Sequence, residues 1–135
     1  MVRGVREERE LIHRLDSLGF AVLRAPASGS RTKLDRPDIL AGRKGFVLAI
    51  EVKTSRKKTF YVRKESVEQL IRFSDRFGAK PYLAIKFKHT GLDWFLVKPE
   101  NLVKTGKGFK VSLNDLKMKG ESLESLVTKS LTEYL

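Results

Sequence analysis

Leu11, Ile12, Leu15 and Leu18 recur at the three- and four-residue spacing of one helix face, and Gly19 follows them, so the pattern predicts a helix over about residues 5–18. Residues 20–23 and 39–41 read as short extended runs. Between them lies a stretch rich in small and basic residues, unusually long for a compact domain. Gly42-Arg43-Lys44-Gly45 has the composition of a hairpin turn. The clearest strand is 46–53, where Phe46, Leu48, Ile50 and Val52 alternate with Val47, Ala49, Glu51 and Lys53. A second helix is expected over 64–77, with Val67, Leu70, Ile71, Ser74 and Phe77 along one side and Gly78 as its stop. Strands are expected at 81–88, 94–97 and 109–111, and a last helix over about 122–131 with Ser122 as its cap. One helix, strands, a helix and more strands predict an α/β chain with a mixed central sheet flanked by helices. No repeat or composition break divides the chain, which reads as one domain over 1–135.

Two positions do not fit packing. Glu51 and Lys53 lie two apart in a strand and so project from the same face, beside apolar Val47 and Ala49. Asp38 follows Pro37 at the mouth of a strand, thirteen residues earlier. If the two strands are neighbours, two carboxylates and an ammonium converge. Such a set suits phosphodiester hydrolysis: carboxylates hold a hard cation that acidifies water and polarises the phosphoryl oxygen, and lysine orients that water or neutralises developing charge. In isolation, Glu-x-Lys is equally read as an exposed ion pair. On a helical wheel, Glu8 lies about 20° from the centre of the first helix's apolar stripe, Glu7 about 80° and Glu10 about 140° away. Glu8 is therefore expected to face the body of the protein and Glu10 to face water, although a carboxylate in a first turn also complements the helix dipole.

Composition narrows the chemistry. The chain has no cysteine, which excludes disulfides, thiolate nucleophiles and Cys-based zinc sites. The two histidines, His13 and His89, lack ligand-like spacing, so a metal would sit on oxygen ligands and be Mg²⁺ or Mn²⁺. Lys plus Arg number 28 against 16 acids, a net charge of +12 that suits a polyanion, nucleic acid before an anionic membrane. The charged N-terminus and the lack of long apolar runs predict a cytoplasmic, nucleoid-associated protein without a membrane span.

Several segments together carry a family resemblance. Residues 4–11 (Gly-Val-Arg-Glu-Glu-Arg-Glu-Leu), 19–30 (from Gly-Phe-Ala-Val to Ala-Ser-Gly-Ser), Pro37-Asp38-Ile39 and Ile50-Glu51-Val52-Lys53 resemble the archaeal Holliday junction resolvases, the Hjc and Hje group. The likeness continues through Tyr61-Val62-Arg63, Leu70-Ile71-Arg72-Phe73 and Leu83-Ala84-Ile85-Lys86-Phe87, covering about the first hundred residues. It implies a restriction-endonuclease-like, PD-(D/E)xK core and a homodimer that nicks opposed strands of a four-way DNA junction with Mg²⁺, leaving 5′-phosphate ends. It also implies Glu8, Asp38 and Glu51 as catalytic and metal-binding carboxylates, Lys53 as the catalytic lysine, and Ser28 as the loop serine, with Ser30 the alternative. Arg9 and Arg24 fall on DNA-contacting positions, and Phe73 and Phe77 on the dimer contact, although one helical turn apart they also read as core. Ser30, Arg31, Lys33, Arg36 and Arg63 bracket the acids and are expected to contact DNA. Asp35 reads as a solvated loop acid before a metal ligand. A repair or restriction-type nuclease for another DNA structure, or an architectural DNA-binding protein, are the alternatives; the last explains the charge but not Asp38, Glu51 and Lys53.

The C-terminus ends Leu131-Thr132-Glu133-Tyr134-Leu135. An aliphatic residue, two spacers, an aromatic and an apolar residue resemble the plug of peptides that bind the replication sliding clamp, though Thr128 stands where such peptides carry glutamine. The alternative is that these side chains end an amphipathic helix and pack on the domain.

Overall fold

The computed structural model describes residues 5–26 and 34–132. Helix α1 (Val5–Ser17) leads into strands β1 (Ala21–Arg24), β2 (Ile39–Arg43) and β3 (Phe46–Ser55). Strand β4 (Thr59–Arg63), helix α2 (Lys64–Phe77), β5 (Lys80–Phe87) and β6 (Phe95–Val97) follow. The chain closes with β7 (Val103–Lys104), β8 (Gly108–Ser112), α3 (Leu113–Lys119) and α4 (Leu123–Thr132). The central sheet has the order β1-β2-β3-β5-β6. Among the described residues only β3 and β5 pair in parallel, joined by the long crossover through α2 that such a pair requires.

The β2–β3 connection is a two-residue turn, narrower than the four-residue turn expected. Lys44 (φ 50°) and Gly45 (φ 87°) both take left-handed backbone, while Gly42 and Arg43 belong to β2. Its register sets Ile39 opposite Ile50 and Arg43 opposite Phe46. The alternation expected in β3 holds. Phe46, Leu48 and Ile50 pack with Leu11, Leu15, Phe20, Tyr82 and Trp94 on one side of the sheet. Ala49 belongs to the opposite core with Val67, Leu70, Leu83 and Ile85. The strand runs two residues beyond Lys53.

Helix α2 has the predicted bounds, and Gly78 caps it at φ 86° with its N–H donating to the Ser74 carbonyl. Its expected apolar face holds at Val67, Leu70 and Ser74 but not at Ile71 or Phe77, both of which are exposed. The Ser122 hydroxyl accepts from Ser125 N (3.1 Å), as a cap should. The pattern did not announce a second sheet, of order β4-β8-β7. It covers the second core, with Val62, Phe109 and Val111 inward. Among the described residues no helix is long and apolar enough to cross a membrane.

Candidate active site

With Ile39 opposite Ile50, the antiparallel β2–β3 register brings Asp38 beside Glu51. Asp38 is held from both its ends. Its carboxylate Oδ2 accepts from the Val52 backbone N–H at 2.8 Å, and its carbonyl accepts from Ala25 N–H at 2.9 Å. Glu51 is mostly buried, and Lys53 Nζ lies 3.5 Å from Glu51 Oε2. Burial pushes the Glu51 carboxyl up to about 7, and the negative charge of Asp38 adds to the rise. The Lys53 ammonium opposes both. The three residues expected to converge do so.

Glu8 does face inward, with 18% of its side chain exposed, but it engages the Arg24 guanidinium of β1 (Oε1 to Nε, 2.5 Å). Among the described residues, no three acidic or histidine side chains assemble in metal-ligand fashion. The guanidinium balances the Glu8 charge. Its neighbours are paired as well. Glu7 is as buried as Glu8 and meets Lys88 (3.7 Å). Glu10 is exposed, as expected, and also accepts from Trp94 Nε1 at 3.0 Å and lies 3.5 Å from Lys86 Nζ. Neither lysine nor Trp94 was singled out by the sequence pattern; each contact spans more than seventy residues, which no local spacing reveals.

Of the expected DNA contacts, Arg9 and Arg63 are exposed, Arg24 is tied to Glu8, and Arg36 is half-buried. Ser28, Ser30, Arg31 and Lys33 lie outside the described residues. Asp35 is no loose acid: it takes a two-pronged ion pair from Arg72 (2.9 and 3.0 Å), which holds its carboxyl below the usual range. That pair fastens the chain before Asp38 to α2. Phe73 and Phe77 stack on each other at 5.3 Å between ring centres. Phe73 is partly packed on the second core, whereas Phe77 is 55% exposed and so is not core. Phe77 lines a surface cleft with Leu34, Asp35, Arg36, Phe73 and Arg76.

A buried carboxylate pair with an unbalanced charge and a lysine at its edge is chemistry for a hard divalent cation. Asp38 and Glu51 fit that role. The comparisons with known proteins agree with the geometry. The family model described as archaeal Holliday junction resolvase (hjc) matches residues 1–133. The crossover junction endodeoxyribonuclease Hjc of Methanocaldococcus jannaschii is 44% identical over 109 residues, 81% of this chain and 75% of that protein. The Hjc of Sulfurisphaera tokodaii is 37% identical over 93% of this chain and 85% of its own length. The solved structure of Archaeoglobus fulgidus Hjc, a Holliday junction resolvase, superposes with a TM-score of 0.84 at 33% identity, covering 92% of this chain and 99% of that one. The α/β architecture is thus the restriction-endonuclease-like fold of that structure, and the chain belongs to the archaeal Holliday junction resolvase family.

Proposed function

We propose that the protein is a structure-selective endonuclease that resolves four-way DNA junctions by paired, Mg²⁺-dependent nicks, with Mn²⁺ as a substitute, leaving 5′-phosphate ends. The observation that carries this reading is the juxtaposition of Asp38, Glu51 and Lys53 on one sheet face. Asp38 and Glu51 would hold the cation, with Glu8 joining directly or through water once released from Arg24. When bound, the cation supplies an acidified water and polarises the scissile phosphate. The chain's own part is positional. The Val52 N–H fixes one Asp38 oxygen, and burial keeps Glu51 dry. Lys53 places a positive charge where the phosphate gains negative charge. Ser28, or Ser30, would act from the loop before Asp38.

A two-fold dimer offers identical sites to equivalent strands of a junction. The apolar surface of Leu34, Phe77 and Ile71, exposed in the single chain, supports a dimer face centred on Phe73 and Phe77. Arg9, Arg24, Arg31, Lys33, Arg36 and Arg63 would hold phosphates, so affinity comes from the backbone and recognition from branched shape.

The test compares Asp38→Asn and Glu51→Gln with wild type on a four-way junction, a flap and a linear duplex. Both variants should lose nicking and keep junction affinity, since each removes a ligand and a charge that repels phosphate. Parallel loss of binding and cleavage in folded protein would overturn the assignment. Preferential cutting of flap or duplex would favour a repair or restriction-type nuclease, and no metal-dependent scission an architectural role.

A further inference from the structure

The second sheet turns a face to solvent of which the proposed function uses only Arg63. On β4, Phe60 and Val62 point inward, so Thr59, Tyr61 and Arg63 point out. Register places Tyr61 beside Lys110 of β8, and Lys110 beside Val103 of β7. Tyr61 is 68% exposed at the middle of its strand. Among the described residues its ring stacks on nothing and its hydroxyl bonds nothing. Beside it opens a cleft of about 480 Å³ between Tyr61, Arg63 and the loop Thr105-Gly106-Lys107-Gly108. Its floor is set by Gly108, where any Cβ would strike the Val62 carbonyl, so β8 lies flush against β4 there.

The charge of this region is one-sided. Residues 56–63 and 101–112 carry Arg56, Lys57, Lys58, Arg63, Lys104, Lys107 and Lys110 and not one acid. An exposed aromatic face flanked by these cations is poorly suited to a protein partner without a matching set of acids, since its contact would bury the charges uncompensated. It suits a strand of nucleic acid with its bases unstacked: the ring takes a base and the cations take the phosphates. A fully paired duplex offers no free base face.

We infer that this face is a second DNA subsite, in which Tyr61 stacks on an unpaired base and Arg63, Lys107 and Lys110 hold the flanking phosphates of a single-stranded segment. The inference rests on the DNA-cleaving reading above and adds the substrate feature this sheet recognises: strand opened next to the branch. Because Tyr61 is mostly exposed, its substitution spares the core.

The test uses the intact protein in chelator and a short thymine oligonucleotide with one central 2-aminopurine, whose fluorescence falls when it stacks. The wild type should quench it. Tyr61→Ala should weaken the single-strand Kd by roughly tenfold, while Tyr61→Phe, which keeps the ring, should stay within about twofold. Affinity for a fully paired duplex should be the same in all three. Equal single-strand affinity of wild type and Tyr61→Ala would overturn the inference, as would equal losses on single strand and duplex. Unchanged DNA binding with an altered sedimentation coefficient in Tyr61→Ala would overturn it in favour of a contact with a second copy. Junction nicking in Mg²⁺ is scored on the same preparations. Wild-type nicking without Tyr61-dependent quenching sinks this inference alone, and absence of wild-type nicking sinks the resolvase reading and this inference with it.

Discussion

Glu51 should make the metal-free protein less stable as pH rises, and Glu51→Gln should remove that dependence. Burial and the adjacent Asp38 charge raise the Glu51 carboxyl from its ordinary value of 4.5 to about 7. The folded state therefore holds a proton through a range in which the unfolded chain has released it. The stabilising effect of the proton is complete below about 4.5, declines as pH rises, and is gone above about 7. At ~1.36 kcal/mol per decade, the gap between 4.5 and about 7 corresponds to about 3 kcal/mol. Glutamine keeps the shape and stays neutral, so the variant should exceed wild type by about 3 kcal/mol at pH 8 and by only about 1 kcal/mol at pH 5. For a domain of this size the pH 8 difference is a melting-temperature rise of roughly 10 °C. Urea or thermal unfolding of both proteins in chelator at the two pH values measures it. Added Mg²⁺ should close the gap at pH 8, because it stabilises only the chain that retains the carboxylate. A wild-type-to-variant difference that is the same at both pH values would refute the idea that an unbalanced, buried carboxylate pair is stored at this site.

Junction affinity should fall steeply with salt, each neutralised phosphate contributing a slope of about −0.9 in log K against log salt, and a nearly flat titration would count against a phosphate-dominated interface. Phe77→Glu should give a monomer by sedimentation with little change in melting, because the ring is 55% exposed in the single chain; an unfolded variant would return Phe77 to the core. Arg24→Ala should weaken binding to all junction sequences alike, and sequence-dependent losses would argue against a phosphate contact. Deleting 131–135 should abolish any binding to a replication sliding clamp while leaving the melting temperature unchanged, since Leu131 is 51% exposed at the end of α4. A lower melting temperature with no clamp binding by the intact chain would rule the partner reading out.

The convergence of Asp38, Glu51 and Lys53 was legible because strand geometry has a period of two and antiparallel pairing fixes who sits opposite whom. Once Glu51 and Lys53 shared a face, a neighbouring Asp38 could reach only that place. The first helix was legible only in part. Its wheel placed Glu8 correctly, but a wheel records direction from the axis and not how far the sheet extends beneath the helix. Lys86 and Lys88 at the end of β5 reach out to Glu10 and Glu7, and long side chains bend towards such partners whatever their wheel angle. The second sheet was hidden by its shortness: β7 has two residues, and the alternation in β4 and β8 covers five each. Helix α3 is too short for a periodic signal, yet Ser112 and Asp115 spell its start, the serine hydroxyl accepting from Asp115 N at 3.2 Å. Phe77 shows the opposite difficulty. Its spacing matches buried Leu70 and Ser74, and only the three-dimensional surroundings reveal that the last turn of α2 faces Leu34 and Arg36 at the surface.

The pairing of the α1 acids bears on how a carboxylate centre can work on a polyanion. Asp38 and Glu51 alone would repel phosphate at the one place where phosphate must approach. Glu7, Glu8 and Glu10 would extend that repulsion along the first turns of α1, but each is met by a cation from the sheet: Lys88, Arg24 and Lys86. What remains only partly compensated, by Lys53, is the Asp38–Glu51 pair, and burial together with the Asp38 charge pushes the Glu51 carboxyl up to about 7. The pair therefore keeps a net negative charge that suits a small divalent cation, set in a chain of net +12. A divalent cation held there would reverse the sign that the pair presents to phosphate. Neither the acids nor the excess of lysine and arginine would achieve this separately, so the charge pattern around the site is as much a part of the reading as the three residues at its centre.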